Sequence, residues 1–289
     1  MTDVTSKQQQ EKAERFRDLH RRPGIFVIPN PWDVGTARLL AQLGYEALAS
    51  TSAGYAFSLG VRDNEVGRDA MLRHVREIVA ATDLPVSADL ENGFGDDPET
   101  VAETIRLGAA AGLVGGSIED ATGRADEPIY PFDLAVERIR AAVEAARGLP
   151  FPFTLTARAE NFLVGVRDLD DTIRRLQAYQ EAGADVLYAP ALTTREQIAA
   201  VVSSVERPVN VIMGLSGVDL TVADLQALGV KRISVGSAFA RAALGAFLRA
   251  AREVKENGTF GFANDAIAFK EINQRFARPE PGASGRTGD

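Results

Sequence analysis

The stretch Pro85–Asp96, PVSADLENGFGD, decides how the chain reads. Val86 and Ala88 are apolar and predict a buried strand. That strand runs into two acids, Asp89 and Glu91, and then into the tight turn Gly93-Phe94-Gly95. Strand alternation would put Asp89 and Glu91 on one face. Two carboxylates so placed repel unless a cation lies between them or one takes a proton. A hard divalent ion such as Mg²⁺ prefers oxygen ligands of this kind.

Outward from this stretch the same rhythm repeats. Apolar runs at 26–29, 47–51, 85–90, 112–118, 153–157, 186–189, 209–213 and 232–235 read as strands. Helical patterns fill the gaps, at 65–81, 98–111, 132–147, 169–182, 194–204, 221–228 and 238–256. Nearly continuous apolar strands suit a parallel sheet covered on both faces. Strict alternation in eight units predicts a closed (β/α)8 TIM barrel of about residues 24–256, with a doubly wound sheet as the runner-up. A helix over 11–22 precedes it, after ten polar residues expected to fray. One more helix over 264–275, in an extension of about 260–277, follows the barrel and carries Ile267, Phe269, Ile272 and Phe276. It has no strand left to cover, which predicts that it packs on a second subunit. The tail 278–289 is rich in Pro and Gly and is expected to be disordered. All 289 residues are read as one domain.

Composition narrows the chemistry. The net charge of −8 argues against nucleic acid. There is no cysteine and there are only two histidines, His20 and His74, so thiolate and histidine-rich metal sites are excluded. No apolar run is long enough to span a bilayer, and the polar N-terminus lacks the apolar core of a signal peptide. A soluble cytoplasmic protein without nucleic-acid or membrane partners is expected.

Barrel enzymes place their chemistry at the C-terminal ends of the strands. There the sequence offers Asn30, Trp32 and Asp33, then Ser52-Ala53-Gly54 with Asp63 further along the loop. Asp89 and Glu91 follow, then Glu119-Asp120. Arg158, Glu160 and Asn161 come next, then Tyr188 and Asn210. Five or more acids around one arginine would lower stability unless a cation resolves them. Arg158 can hold an anionic substrate through two hydrogen bonds. The backbone N–H groups of Ser52, Ala53 and Gly54 are candidates for a carboxylate or oxyanion, and Trp32 for a wall of the site. For Asp33, Asp120 and Glu160 a purely structural role weighs as much as a functional one. His74 is expected to be structural, and Tyr55 and Tyr188 are candidate proton donors by position alone.

At this point the chain resembles the isocitrate lyase and phosphoenolpyruvate mutase superfamily. The marks are D-x-[DE]-x-G-[FY]-G at 89–95, Ile118-Glu119-Asp120, and Ala157-Arg158-x-Glu160, supported by Ser52–Gly54 and Asp63. The resemblance implies Mg²⁺, with Mn²⁺ as the alternative, ligated by Asp89 with Glu91 and Glu119 as ligands or holders of its waters. It implies Asp63 behind them, Ser52, Ala53 and Gly54 on the substrate carboxylate or oxyanion, and Arg158 paired with the substrate. Asn210 and Trp32 are added by position. It also implies a C-terminal helix exchanged between subunits of a homo-oligomer, a dimer of dimers. The loop ATGRADEPIYPFD lacks the Cys segment of lyases acting on isocitrate or methylisocitrate, and the Lys and Asn of phosphonate-forming mutases. The expected activity is therefore Mg²⁺-dependent cleavage of a carbon–carbon bond in a small 2-oxo or 2-hydroxy acid through a metal-stabilised enolate, similar to oxaloacetate decarboxylase. The alternatives are phosphonopyruvate-type P–C chemistry, cleavage of a larger 2-hydroxy acid such as 2-methylisocitrate, and a barrel that binds a 2-oxo acid without turnover.

Overall fold

A computed structural model describes residues 2–277, with side chains from residue 7 onward. The expected disorder of 278–289 lies outside the described residues. The chain divides into two compact units, Met1–Arg241 and Ala242–Asp289.

The first unit is a (β/α)8 barrel. Its strands are β1 (Phe26–Ile28), β2 (Leu48–Ala49), β3 (Val86–Asp89), β4 (Gly115–Glu119), β5 (Thr154–Arg158), β6 (Val186–Tyr188), β7 (Val209–Ile212) and β8 (Arg232–Ser234). All the pairings are parallel, and the order is β1-β8-β7-β6-β5-β4-β3-β2. Across the remaining seam, the Ala49 N–H donates to the Pro29 carbonyl at 3.1 Å. All eight expected strands are present, most of them a residue or two shorter than their apolar runs. The open-sheet alternative is excluded.

The helices outside the sheet are α1 (Thr2–Arg21), α2 (Val34–Gln42), α3 (Ser52–Ser58), α4 (Arg68–Ala80), α5 (Pro98–Ala110), α6 (Phe132–Arg147), α7 (Leu169–Glu181), α8 (Arg195–Ser203) and α9 (Val222–Ala227). Two of these differ from the sequence expectation. Helix α1 starts at Thr2, where ten frayed residues were expected. Its polar side chains are tied to backbone carbonyls of other helices and loops: Gln9 donates to the carbonyls of Ala109 and Leu113 at 2.8 and 2.9 Å, and Lys12 to that of Thr82 at 2.9 Å. Helix α3 replaces the loop of small residues that the sequence predicts. Thr51 caps it, accepting from the Gly54 N–H at 3.2 Å. A side chain at Gly54 would meet Thr51 and the Cβ of Trp32, so glycine permits this close approach.

Helix α10 (Ala238–Asn257) starts in the first unit and is the longest element of the second. A 3₁₀ turn (Gly261–Asn264) and α11 (Phe269–Arg275) complete it, where one continuous helix over 264–275 was expected. This unit leaves large apolar groups exposed, with Phe247 at 65% and Phe269 at 80%. No described helix is long and apolar enough to cross a membrane.

His20, which gave no signal in the sequence, closes the bottom of the barrel. Its Nδ1 faces the Phe16 carbonyl at 2.8 Å, an acceptor only, and its Nε2 faces Nη1 of Arg232 at 3.2 Å, a donor only. Both contacts require the neutral ring with its proton on Nδ1. Burial first, and Arg232 second, push its pKa down to about 3. Below pH 6.5 the unfolded chain binds a proton that the folded chain refuses, so stability falls as pH drops from 6.5 towards 3. One proton corresponds to a slope of at most about 1.4 kcal/mol per pH unit. Urea unfolding of His20→Gln between pH 6.5 and 4 should show a shallower loss of stability than the parent. Equal slopes would remove this role.

Candidate active site

Register places the site. Glu119, Arg158, Tyr188, Asn210 and Arg232 are successive partners across β4, β5, β6, β7 and β8. They form one row of neighbours around the barrel interior. A cavity of about 500 Å³ opens above and beside them, lined also by Ser52, Ala53, Asp63, Asp89 and Glu160.

Arg158 is its centre. Its Nη1 lies 2.8 Å from Asp89 Oδ1, its Nη2 2.9 Å from Glu119 Oε2, and its Nε 2.7 Å from Glu160 Oε1. Asp89 and Glu119 thus converge, as the sequence reading required, but on a guanidinium. The burial of Arg158 opposes its charge, but Glu119, Glu160 and Asp89 outweigh it and hold the group firmly protonated. Burial pushes the pKa of Glu119 well up, and that of Glu160 to about 7, in each case against the pull of Arg158. Asp63 is also raised, by burial and then by Asp89. Ser52 fixes Asp89 from the far side: its Oγ donates to Asp89 Oδ2 at 2.9 Å and its N–H reaches the same oxygen at 3.4 Å.

Glu91 departs from the strand argument. β3 ends at Asp89, and Glu91 sits at φ +50°, so alternation no longer governs its direction. It lines a neighbouring, more open cavity of about 1050 Å³ that shares Glu119 with the first. Its Oε1 is buried without a partner, and burial, Asp89 and Asp63 push its pKa up to about 8.

Other sequence candidates resolve individually. The N–H groups of Ser52 and Gly54 are already bonded to Asp89 and Thr51, which leaves Ala53 of the expected trio. Trp32 is not among the residues lining the 500 Å³ cavity; its Cβ packs against Gly54. Asn210 lines the floor with both ends of its amide engaged, accepting from Arg232 Nε at 2.8 Å and donating to Ser234 Oγ at 3.0 Å. Asp33 caps α2, accepting from the Thr36 N–H at 2.7 Å. Asp120 holds structure, accepting from Tyr179 Oη at 2.5 Å, from the Glu160 N–H at 2.8 Å and from Arg175 at 3.2 Å. Tyr55 stacks on His74 with ring centroids 3.7 Å apart, while Tyr188 lines the cavity. Outside the sequence candidates, Arg124 on the loop after β4 pairs with Asp96 and Glu127.

One residue escaped the sequence reading. Arg138 on α6 is fully buried and donates to the carbonyls of Asn92, Gly95 and Asp96. It pins the turn after β3. An arginine on an amphipathic helix reads as solvent-facing, so the pattern carried no signal.

The donor set fits a hard cation. Asp89, Glu119 and Glu160 share one guanidinium, Asp63 and Glu91 lie near them without an arginine partner, and an oxygen of Glu91 is buried and orphaned. Among the described residues no three acids or histidines are grouped around a common empty centre. The arginine takes that place.

A parallel barrel with buried acids and an arginine at its C-terminal mouth defines a barrel enzyme of the lyase/mutase type. The family profile for phosphoenolpyruvate phosphomutase matches residues 16–255, and the chain belongs to that family, within the isocitrate lyase/PEP mutase superfamily. It is 35% identical over 205 residues to 2-methylisocitrate lyase of Escherichia coli K12, covering 68% of each chain. It is 31% identical over 239 residues to oxaloacetate decarboxylase of Paraburkholderia xenovorans LB400, covering 78% of this chain and 76% of that one. Among solved structures, a provisionally named lyase/mutase from Burkholderia cenocepacia J2315 is 67% identical, with a TM-score of 0.92, covering 94% of this chain and 98% of that one. Phosphonopyruvate hydrolase in complex with oxalate and Mg²⁺ is 25% identical, with a TM-score of 0.81, covering 91% and 94%. Such relatives make the chain an enzyme of this superfamily.

Removing the guanidinium tests the clamp. In Arg158→Met without metal, the buried carboxylates of Glu119 and Glu160 lose their cation and must take up protons to stay folded. The folded state then binds more protons than the unfolded, so stability should fall as pH rises from about 4.5 through 7 and beyond. By pH 8 the loss should reach about 3–5 kcal/mol relative to the parent in urea titrations. A loss of the same size at pH 5 would contradict it.

Proposed function

We propose that the protein is a Mg²⁺-dependent lyase that cleaves a carbon–carbon bond in a small 2-oxo acid, with oxaloacetate as the model substrate and loss of carbon dioxide as the reaction. One observation carries this reading: four carboxylates, Asp63, Asp89, Glu119 and Glu160, line one cavity in which a single guanidinium is paired with three of them, and Glu91 lines the adjoining cavity that shares Glu119. Similarity to an oxaloacetate decarboxylase supports the substrate class, and the Mg²⁺ in the phosphonopyruvate hydrolase complex supports the metal. Asp89 would ligate the ion, with Glu91 and Glu119 as ligands or holders of its waters and Asp63 behind them. When bound, the ion supplies Lewis-acid stabilisation of the negative charge that develops as the bond breaks.

The chain's own groups do the rest. Ser52 orients Asp89 through its hydroxyl. Arg158 keeps Asp89, Glu119 and Glu160 in place. The free N–H of Ala53 is available to an anionic oxygen of the substrate. Tyr188, buried against Arg158 with the guanidinium 5.3 Å from its ring centre, would return a proton through its hydroxyl. The exposed phenylalanines of the second unit support packing on another subunit. Light scattering should give an oligomer, and a monomer at micromolar concentration would remove that part.

Oxaloacetate should disappear faster with protein and Mg²⁺ than with Mg²⁺ alone, and chelator should abolish the difference. Decay no faster than with the free ion defeats the proposal. Ser52→Ala, which frees the Asp89 carboxylate to rotate, should raise the Mg²⁺ concentration for half-maximal activity by about 10–100-fold.

A further inference from the structure

A second cavity, of about 470 Å³, lies at the opposite end of the barrel from the carboxylates. Four arginines line it: Arg17 and Arg21 from α1, Arg147 from the end of α6, and Arg207 from the turn before β7. Asp185 is the one acid in its lining. In a chain of net charge −8 this is a local reversal of sign.

Arg147 is committed to Asp185 at 2.7 Å. The guanidinium groups of Arg17, Arg21 and Arg207 form no hydrogen bond or ion pair with any described residue. Solvated surface arginines are ordinary, and Arg21 and Arg207 alone would be read that way. Arg17 is different. Its Nε is buried from solvent and has no acceptor. A buried N–H on a charged group calls for a partner, and an anion is the partner of matching charge. Phe151, Pro152 and Pro208 give the cavity an apolar wall beside the arginines. His20 also lines it, and accepts from Arg232, which lines the catalytic cavity.

We infer that this cavity is an oxyanion-binding site for a small organic molecule bearing a phosphate group, its phosphate held by Arg17, Arg21 and Arg207 and its apolar body against Phe151 and the prolines. Arginine suits phosphate because its planar fork matches two oxygens at once. The site is separate from the carboxylate cluster, so it stands whatever the enzyme's substrate proves to be.

Isothermal calorimetry of the full chain in low-salt, phosphate-free buffer tests it, with inorganic phosphate and phenyl phosphate as probes. Saturable binding near one equivalent is expected, with phenyl phosphate several-fold tighter and both weakening as salt rises. Arg21 and Arg207 are exposed, so the double variant Arg21→Met/Arg207→Met should fold normally. It should bind phenyl phosphate at least tenfold more weakly, and Arg17→Met should do the same. Absence of saturable binding by the parent overturns the inference. So does binding that survives unchanged in the double variant, which would place the anion elsewhere.

Discussion

The structure turns on one side chain satisfying three others. Arg158 directs each of its three nitrogens to a different carboxylate, on β3, β4 and the segment after β5. Buried charges persist in proteins only when paired and hydrogen-bonded. Glu119 and Glu160 are buried, and water cannot take the arginine's place. The clamp therefore fixes how these neighbouring strands meet at the mouth. The planar fork matters as much as the charge, since a lysine ammonium would be a point charge on a flexible stem.

The barrel supplies the coordinates for that clamp. Parallel pairing brings Glu119 level with Arg158, Arg158 with Tyr188, Tyr188 with Asn210, and Asn210 with Arg232. The row ends in a second buried arginine of different character. Arg232 donates only to neutral acceptors, Asn210 Oδ1, Thr156 Oγ1 and His20 Nε2, and burial draws its pKa down to about 10. Because Arg232 can only donate, it fixes which way the Asn210 amide faces. That in turn makes Asn210 the donor to Ser234. Polarity is thus passed inward from α1 to the floor of the cavity, through residues that no single motif would connect.

Much of this was legible in the sequence, for a physical reason. Parallel strands covered on both faces must be apolar throughout, and glycine-bounded helices between them must alternate, so eight units announce themselves. Acids clustered at strand ends repel one another unless paired, so Asp89, Glu119 and Arg158 stand out. What stayed hidden depends on contacts that periodicity does not encode. Helix α3 owes its start to the Thr51 cap and its fit to Gly54 against Trp32. Helix α1 is held by polar side chains reaching backbone carbonyls far away in sequence. Glu91 leaves the strand pattern because its φ is positive. Arg138 looks like a solvent-facing helix residue and is instead the peg for the turn at 92–96. Each is a tertiary decision taken against a local expectation.

The clamp also limits how a substrate can enter. Every nitrogen of Arg158 already faces a carboxylate, so it has little positive charge to spare for an anionic acid. A dianion arriving alone would meet Asp63, Asp89 and Glu119 and be repelled. Two changes relieve this. A proton on Glu160, whose pKa near 7 makes protonation inexpensive, weakens one claim on the guanidinium. A divalent cation held by Asp89 and Glu119, as proposed, would weaken the other two. Cation and anion would then favour each other's binding by relieving the repulsion within the site. On the proposed function the acid surplus would make the site selective for a metal and an anionic ligand together, while the arginine pairs three of the acids without either.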